Sequence, residues 1–344
     1  MTGLLTKTPA SSPATLDADI RMKDILSTLP RDVFEKRPVK AWTTVIVDIA
    51  LAAIGYVGIA VAPVYLLPLL WVFQGTVLTG WFVLGHDCGH RSFARRKWVN
   101  DLIGHFMFLP LLYPYHGWRI QHNYHHKHTN KLEVDNAWDP YRPEVYQNKS
   151  NLEKWIYQGV RGRFWWVGSI GHWAIQHFNW KPFSGKQREQ VRFSALFVIV
   201  AALVGIPLLI ATTGIWGFIK FWVMPWMVYH FWMSTFTLVH HTLPEIQFQP
   251  ARSWHEASAQ LCGTVHCNYP KWVEFLCHDI NVHVPHHIST AIPWYNLRRA
   301  YQEIQTHWGE HTIDRDFSWS LMKEITDRCH LYDAQQCYRS FNDL

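Results

Sequence analysis

Charged side chains are scarce in this sequence of 344 residues. Asp, Glu, Lys and Arg make up 17% of it and hydrophobic residues 49%, whereas a typical soluble domain is about 25% charged. This composition excludes a disordered chain and a collagen. The six cysteines include no C-x-x-C pair, so we expect reduced thiols on a cytosolic face. No Lys/Arg block interleaved with aromatics suggests nucleic-acid binding, and the net charge of +6 fits membrane-flanking charge better.

Long runs without charge are typical of membrane spans. Only Asp48 and Asp87 are charged in residues 41–90, and the stretches 193–219 and 221–244 contain no charged residue. A helix needs about 20 mainly apolar residues to cross the hydrocarbon core of a bilayer. The pattern therefore predicts an all-α integral membrane protein with four transmembrane helices in two hairpins. The spans are expected at about 43–62, 65–85, 193–212 and 216–241, with turns near Pro63 and Pro68 and at 212–214.

Lysine and arginine are concentrated on one side of these hairpins. The turns lack them apart from Lys220, whereas the outer ends of the hairpins are rich in both residues. The positive-inside rule therefore puts both ends of the chain, and residues 86–192, in the cytoplasm. We expect a cytosolic N-terminal segment (1–40) and a single membrane domain (41–344), whose cytosolic cap comprises 86–192 and 242–344. The apolar stretch 102–113 is too short to span and is predicted to be a re-entrant or interfacial helix.

Histidine is abundant, and eight of the 22 histidines lie in three compact groups. The first group has the pattern H-x-x-x-H, and the second and third share the pattern H-x-x-H-H. Residues three or four apart share a helix face, so each group can direct its imidazoles at one point. Pro285 disfavours a helix through the third group unless it lies in a first turn. The groups are His86 and His90, then His122, His125 and His126, then His283, His286 and His287.

The predicted topology allows all three groups to meet on the cytoplasmic side of the bilayer. Eight imidazoles are too many for one metal ion and fit a two-metal centre. Imidazole ligands suit iron, zinc, copper and nickel, so the residues alone do not select the metal. A lone H-x-x-x-H often only caps a helix or forms hydrogen bonds, but three such groups in this order favour a metal site.

The order of the three groups resembles that of the integral-membrane fatty acid desaturases. The flanking segments GHDCGHRSFA (85–94), HTNKLEVDNAWDP (128–140) and CHDINVHVPHHI (277–288) are similar to those of the acyl-lipid Δ12 desaturases of cyanobacteria and plastids. The resemblance runs from about Asp24 to the last residues. It implies an oxidoreductase that uses two iron ions (Fe2+/Fe3+) and O2 to introduce a cis double bond into glycerolipid-bound acyl chains, converting oleoyl to linoleoyl groups.

The resemblance also implies which residues bind the iron ions. The eight histidines are the expected ligands and act in catalysis through the metals. A further ligand is expected at the end of the fourth span, where His241 is favoured over His240. His278 is left open as a ligand or a neighbour of the ligands. Asp87 and Asp279 are candidates for accepting hydrogen bonds from ligating imidazoles.

Several other polar residues have two possible roles. Asp135, Asn136, Trp138 and Asp139, which follow the second group, either shape the site or form a turn before Pro140. Isolated histidines are expected to be structural because they lack a partner at ligand spacing. His172, His177, His230 and His307 are among them.

Electrons are expected to come from a partner protein. The sequence has no G-x-G-x-x-G motif, no flavin or nicotinamide motif and no fused cytochrome b5-like domain. The resemblance implies ferredoxin as the donor and a cyanobacterial thylakoid or plasma membrane as the location, with the metals on the cytoplasmic side. The oligomeric state is left open. Candidate docking residues for an acidic partner are Arg95, Arg96, Lys97, Arg298 and Arg299.

Three other functions compete with Δ12 desaturation. An ω3 (Δ15) desaturase or an acyl hydroxylase would use the same scaffold. A histidine-rich metal transporter would need ionisable residues at the bilayer midplane, where the spans offer little beyond Asp48. A membrane sensor that only binds metal would tolerate the loss of single histidines from the three groups.

Overall fold

The computed structural model describes residues 14–333 and 337–344, and these are mostly helical. Two π-helices, Trp173–His177 and Ile219–Val223, flank or interrupt the longer helices. The α-helices are α1 (Met22–Ser27), α2 (Pro38–Val61), α3 (Leu67–Gly89), α4 (Lys97–Phe108), α5 (Tyr115–His128), α6 (Pro143–Gln147), α7 (Asn151–Arg161), α8 (Gly168–His172), α9 (Gly185–Phe218), α10 (Met224–His241), α11 (Glu256–Leu261), α12 (Lys271–Leu276), α13 (His283–Ile288), α14 (Leu297–Trp308) and α15 (Trp319–Arg328).

Two small sheets depart from the all-α prediction. Strand β1 (Val265–Asn268) pairs in parallel with β2 (Ile313–Asp316), and β3 (Leu331–Asp333) pairs antiparallel with β4 (Cys337–Arg339). The apolar residues Val265 and Ile313, which are paired in the first sheet, are both buried. Strands of three or four residues are too short to show a two-residue hydrophobic period, so the sequence pattern missed them.

Three helical stretches of the described chain are long and apolar enough to cross a membrane. They are Pro38–Val61, Val64–Gly89 and Gly185–His241. Large apolar side chains on their outer faces are exposed, for example Ile46 (66%), Val57 (63%) and Leu203 (71%). Such contiguous exposed apolar faces are costly in water and favourable in lipid, which supports a membrane location.

The first two of these stretches form the predicted first hairpin. Helix α2 ends at Val61, Pro63 precedes a short 3-10 turn (Val64–Leu66), and α3 follows directly. Proline lacks an N–H and has a fixed φ, so it suits the first turn of a helix better than a helix interior. The turn therefore lies where the two prolines indicated.

The third stretch contains both the third and the fourth predicted spans. It has 57 residues, which at 1.5 Å per residue would measure about 85 Å, far more than the roughly 30 Å of one crossing. Gly214 interrupts it with left-handed backbone (φ 71°, ψ 175°). Beyond this break, the Trp71 indole donates to the carbonyl oxygen of Lys220 (2.9 Å), so the chain after Gly214 lies beside the start of α3.

Helix α10 then packs along α3. The Trp232 indole donates to the hydroxyl of Thr76 (2.8 Å), and Val228 lies against Gly75. Glycines allow this close packing because a side chain there would meet the neighbouring element. The pairing brings the ends of both helices, and their histidines, to the same end of the bundle.

Gly80 permits an equally close approach between α3 and the C-terminal end of α12. A Cβ atom at Gly80 would clash with the carbonyl oxygen of Leu276. We expect Gly80→Ala to lower the melting temperature in detergent, because overpacking typically costs about 1–3 kcal/mol. Gly205→Ala in α9 is the matched control, since within the described chain nothing beyond its own helix backbone and chain neighbours lies within 4 Å of that Cβ position. Equal melting temperatures for the two variants would contradict this account of the packing.

The segment before α2 packs on the cap that carries the third histidine group. Ile25, Leu29 and Val33 are buried in one cluster with Val284 of α13 and Ile304 of α14. The side-chain amide of Asn296 donates to the carbonyl oxygen of Val33 (2.9 Å), which ties this segment to the start of α14. These contacts tie α13 and α14 to the segment that leads into α2.

Candidate metal centre

The first histidine group ends α3. His86 is in the last turn of the helix and His90 is its C-terminal cap, and their ring centroids lie 4.6 Å apart. Gly89 lets α5 approach, because a Cβ atom there would meet the Trp118 ring. That ring stacks on His122, with centroids 4.6 Å apart. The first and second groups are therefore in direct contact.

The second group lies on α5, and its histidines point to two different sides of this helix. His122 and His126 are four residues apart and share a face, with their Nε2 atoms 3.1 Å apart. His125 points elsewhere, and its Nε2 lies 3.2 Å from Nε2 of His241 at the end of α10. One H-x-x-H-H motif thus contributes to two separate clusters.

The third group lies on α13, a helix of six residues that begins at His283. Pro285 is in the first turn, the one place where it is compatible with a helix through the motif. His286 extends to His126, with Nε2 atoms 3.0 Å apart, and His283 extends to His241, also with Nε2 atoms 3.0 Å apart.

The histidines form two clusters. In each, the candidate ligand nitrogens lie within 4.8 Å of one another. The first cluster comprises His86, His90, His122, His126 and His286. The second comprises His125, His241 and His287, and His283 adjoins it through His241.

The spacing of the nitrogens fits a metal ion at each cluster. Metal–imidazole bonds of about 2.0–2.1 Å place adjacent ligand nitrogens about 3 Å apart. The facing Nε2 pairs lie at 3.0–3.2 Å. Several ring nitrogens are buried with no hydrogen-bond partner in the described chain, including both nitrogens of His90 and Nε2 of His287. An unpartnered buried polar atom is costly, and a metal ion at each cluster would compensate this cost.

Burial favours the neutral form of three imidazoles of the first cluster. It lowers the pKa of His122, His126 and His286 well below the ordinary value, and the neighbouring histidines lower it further. Only a neutral imidazole has a lone pair to offer a metal, so the clusters are ready to bind cations at neutral pH.

Asp135, one of the residues expected either to shape the site or to form a turn, contacts both His125 and the loop backbone. Its Oδ1 lies 2.6 Å from Nδ1 of His125, and the carboxylate also accepts the backbone N–H groups of Asn130 and Ala137. A hydrogen bond at Nδ1 leaves Nε2 free to face the second cluster.

Sequence reasoning missed a similar contact at His287. Gln260 of α11 places Oε1 2.8 Å from Nδ1 of His287. No motif links these residues, which lie 27 positions apart on different elements, so the sequence offered no signal for this contact.

The remaining candidates lie around the clusters. His240 stacks on His283, with ring centroids 4.1 Å apart, but belongs to neither cluster. His278 bonds Asp48 (2.8 Å), and Asp279 pairs with Arg298 (2.6 Å). Asp87 accepts the backbone N–H of Trp294 (2.9 Å), and its other oxygen lies 3.5 Å from Nδ1 of His86.

A largely apolar cavity of about 200 Å³ adjoins the clusters. His122, His125, His241 and His283 form one part of its wall. Its other lining residues include Tyr113, Trp118, Val160, Met233 and Thr237. The arrangement can hold an apolar chain next to imidazoles of both clusters and exclude water from it.

These features define a class of protein: a membrane-embedded helical bundle with two histidine clusters that can bind metal beside an apolar cavity. The comparisons with known proteins identify the family. Residues 63–319 match the fatty acid desaturase family, and the chain belongs to it. It is an oxidoreductase.

Proteins similar to this chain are named 12-desaturases or omega-6 desaturases. The chain is 56% identical over 341 residues to the sn-1 oleoyl-lipid 12-desaturase of Picosynechococcus sp., covering 99% of this chain and 98% of the relative. It is 57% identical over 327 residues to the protein of that name from Anabaena variabilis, covering 94% and 93%. The chloroplastic omega-6 fatty acid desaturase of Brassica napus is 50% identical over 329 residues, covering 96% of this chain and 74% of the relative.

Proposed function

We propose that this protein is an acyl-lipid Δ12 desaturase that converts oleoyl to linoleoyl groups in membrane glycerolipids, with O2 as co-substrate. The observation that carries the proposal is the apolar cavity walled by histidines of the second and third groups and by His241. The 54–57% identity to proteins named oleoyl-lipid 12-desaturases supports the position of the new double bond.

The proposed cofactor is a pair of iron ions, one at each histidine cluster. His86, His90, His122, His126 and His286 would hold the first ion, and His125, His241, His283 and His287 the second. When bound, the ions would activate O2, the oxidant, which removes two hydrogens from an unactivated methylene pair and, with two electrons and two protons supplied through the electron donor, is reduced to two molecules of water. The donor set of neutral imidazoles suits iron but does not by itself exclude other metals.

The chain's own residues position these ligands and the substrate. Asp135 holds His125 in one tautomer, and Gln260 contacts His287 in the same way. His278, Asp87 and Asp279 have partners of their own, so we assign them structural roles around the ligands. Tyr113, Trp118 and Met233 would exclude water from the acyl chain.

The proposed topology has four spans, with the histidine clusters in the cytosolic cap. The left-handed backbone at Gly214 and the contact between Trp71 and Lys220 support a second hairpin. The Lys/Arg distribution supports a cytoplasmic location for the metals. We propose that the protein lies in a cyanobacterial thylakoid or plasma membrane. We also propose that residues 41–344 form a single membrane domain.

Reduced ferredoxin is the proposed electron donor. Arg95 and Arg96, in the loop that follows the first histidine group, and Lys97, the first residue of α4, are exposed, so they are suited to an acidic partner. Arg298 and Arg299 are less suited because they already form ion pairs, with Asp279 and Asp32 respectively.

The other functions are not favoured. An ω3 desaturase or a hydroxylase would use the same scaffold, but the relatives named above are 12- and omega-6 desaturases. A transporter needs free ionisable groups along the spans, and Asp48 is already bonded to His278.

The proposed function predicts a defined product. A host that makes oleate but no linoleate, co-expressing this protein with ferredoxin and its reductase, should accumulate 9,12-dienoate, located by gas chromatography–mass spectrometry. His125→Ala should abolish the product, because His125 belongs to the second cluster. A different double-bond position would disprove the Δ12 assignment. A well-expressed wild-type protein without any product, despite an active ferredoxin system, would contradict the enzyme proposal.

A further inference from the structure

A surface groove beside α5 lies next to the histidine-lined cavity. It has a volume of about 590 Å³, and its lining includes Ile120, Tyr124 and Ile175. Two residues, Gln121 and Asn136, line both the groove and the cavity. The two spaces therefore meet at a pair of amide side chains.

The groove opens where the chain enters the membrane. Ile175 is 74% exposed at its rim. Pro182 and Phe183, also in the lining, directly precede α9, which begins at Gly185. An apolar groove at the start of a membrane-spanning stretch is accessible to a lipid from the interface between headgroups and acyl chains.

Hydrogen bonds hold the amide pair in place between the groove and the cavity. Nε2 of Gln121 donates to the carbonyl oxygen of Gln176 (2.7 Å), and Nδ2 of Asn136 donates to the carbonyl oxygen of Gln121 (3.2 Å). Gln176 belongs to the π-helix Trp173–His177, a rare conformation that is frequent at functional sites. The junction thus joins α5, the π-helix and the loop after the second histidine group.

The amide pair has unused hydrogen-bonding capacity. Each side-chain amide has two N–H groups and a carbonyl oxygen. Within the described chain, each amide nitrogen makes one hydrogen bond. One N–H group of each residue therefore remains for a ligand at the junction.

We propose that Gln121 and Asn136 bind the ester carbonyl of the glycerolipid substrate, whose glycerol end lies in the groove and whose acyl chain enters the cavity. This inference rests on the proposed function. An ester linked to an apolar chain matches polar donors placed between two apolar spaces. Since the distance from the ester to the metal centre selects the carbon that reacts, the pair are positioning residues for the Δ12 double bond.

Removing the amide donors tests this role. Gln121→Met and Asn136→Leu keep the side-chain size but remove the hydrogen bonds. We expect each variant to raise the KM for oleoyl glycerolipid about tenfold, the equivalent of one lost hydrogen bond of ordinary strength. We also expect products with the double bond at neighbouring positions. Gln302→Met on α14 is the control, because Gln302 is exposed and lies on another element.

Three measurements distinguish a role in positioning the substrate from a folding defect: double-bond position, iron content and melting temperature. Iron content and melting temperature should match those of the control. A wild-type product pattern and KM in both variants would overturn the proposal, even when the wild-type protein forms 9,12-dienoate. Absence of that product from the wild-type protein would instead contradict the proposed function. Preference for a soluble oleoyl thioester over the glycerolipid would overturn the choice of ligand.

A second variant tests the groove without altering the amide pair. Ile175→Trp adds bulk at the exposed rim and should reduce turnover of the glycerolipid at least about tenfold while retaining iron. Leu203→Trp, on the exposed face of α9, is the matched control. Equal activity of the two tryptophan variants would exclude the groove as the route, including where the amide variants fail to fold.

Discussion

Replacing His126 by alanine is expected to abolish product formation and to release metal from the first cluster. Nε2 of His126 lies 3.1 Å from that of His122 and 3.0 Å from that of His286, so the residue links the second motif to the third. Loss of an outer partner of a metal site typically costs about 10–100-fold, so loss of a ligand should cost at least about 100-fold.

The measurement combines product analysis with the iron content of the purified protein. His307→Ala is the control, because His307 is an exposed histidine on α14. Circular dichroism should show equal helix content in both variants, since most helical packing lies outside the cluster. Full activity and iron content in His126→Ala would show that the H-x-x-H-H motif on α5 does not bind the metal.

Asp135→Asn is expected to reduce activity about 10–100-fold, the typical cost of losing an outer-shell partner of a metal ligand. The buried carboxylate holds Nδ1 of His125 at 2.6 Å and accepts two backbone N–H groups. An asparagine amide cannot serve all three donors, so the His125 tautomer and the loop both lose support.

The diagnostic readout for Asp135 is iron affinity. A tautomer defect should weaken iron binding at the second cluster, and added iron should partly restore activity. Asp327→Asn on the exposed surface of α15 is the control. Unchanged iron affinity in Asp135→Asn would show that the carboxylate serves the loop alone.

Much of the candidate site was predictable because its motifs are local. Spacings of three and four residues put His122 and His126 on one face of α5, and helix geometry alone requires this. Pro285 was compatible with its motif only in a first turn, which is where α13 has it. Exposed apolar faces on α2 and α9 likewise follow from uncharged runs, since lipid is the solvent those residues favour.

Contacts between distant elements were not predictable. The sequence could not divide the histidines into two clusters, because that division depends on how α13 and α10 pack against α5. The choice between His240 and His241 depends on the rotation of α10 about its axis: His241 faces the second cluster, while His240 stacks behind His283. No local sequence pattern predicted the contact between Gln260 and His287 or the short strands.

Two conclusions could be reached from the residues alone: the chain is a membrane protein, and its three histidine motifs can meet on one side of the bilayer. Both conclusions rest on short-range regularities: the length of uncharged runs and the helical repeat. The packing of the folded chain was needed to learn which nitrogens converge, which carboxylate contacts His125 and where a groove lies next to the cavity. These features depend on packing between residues far apart in the chain, where close contacts and buried hydrogen bonds select one arrangement.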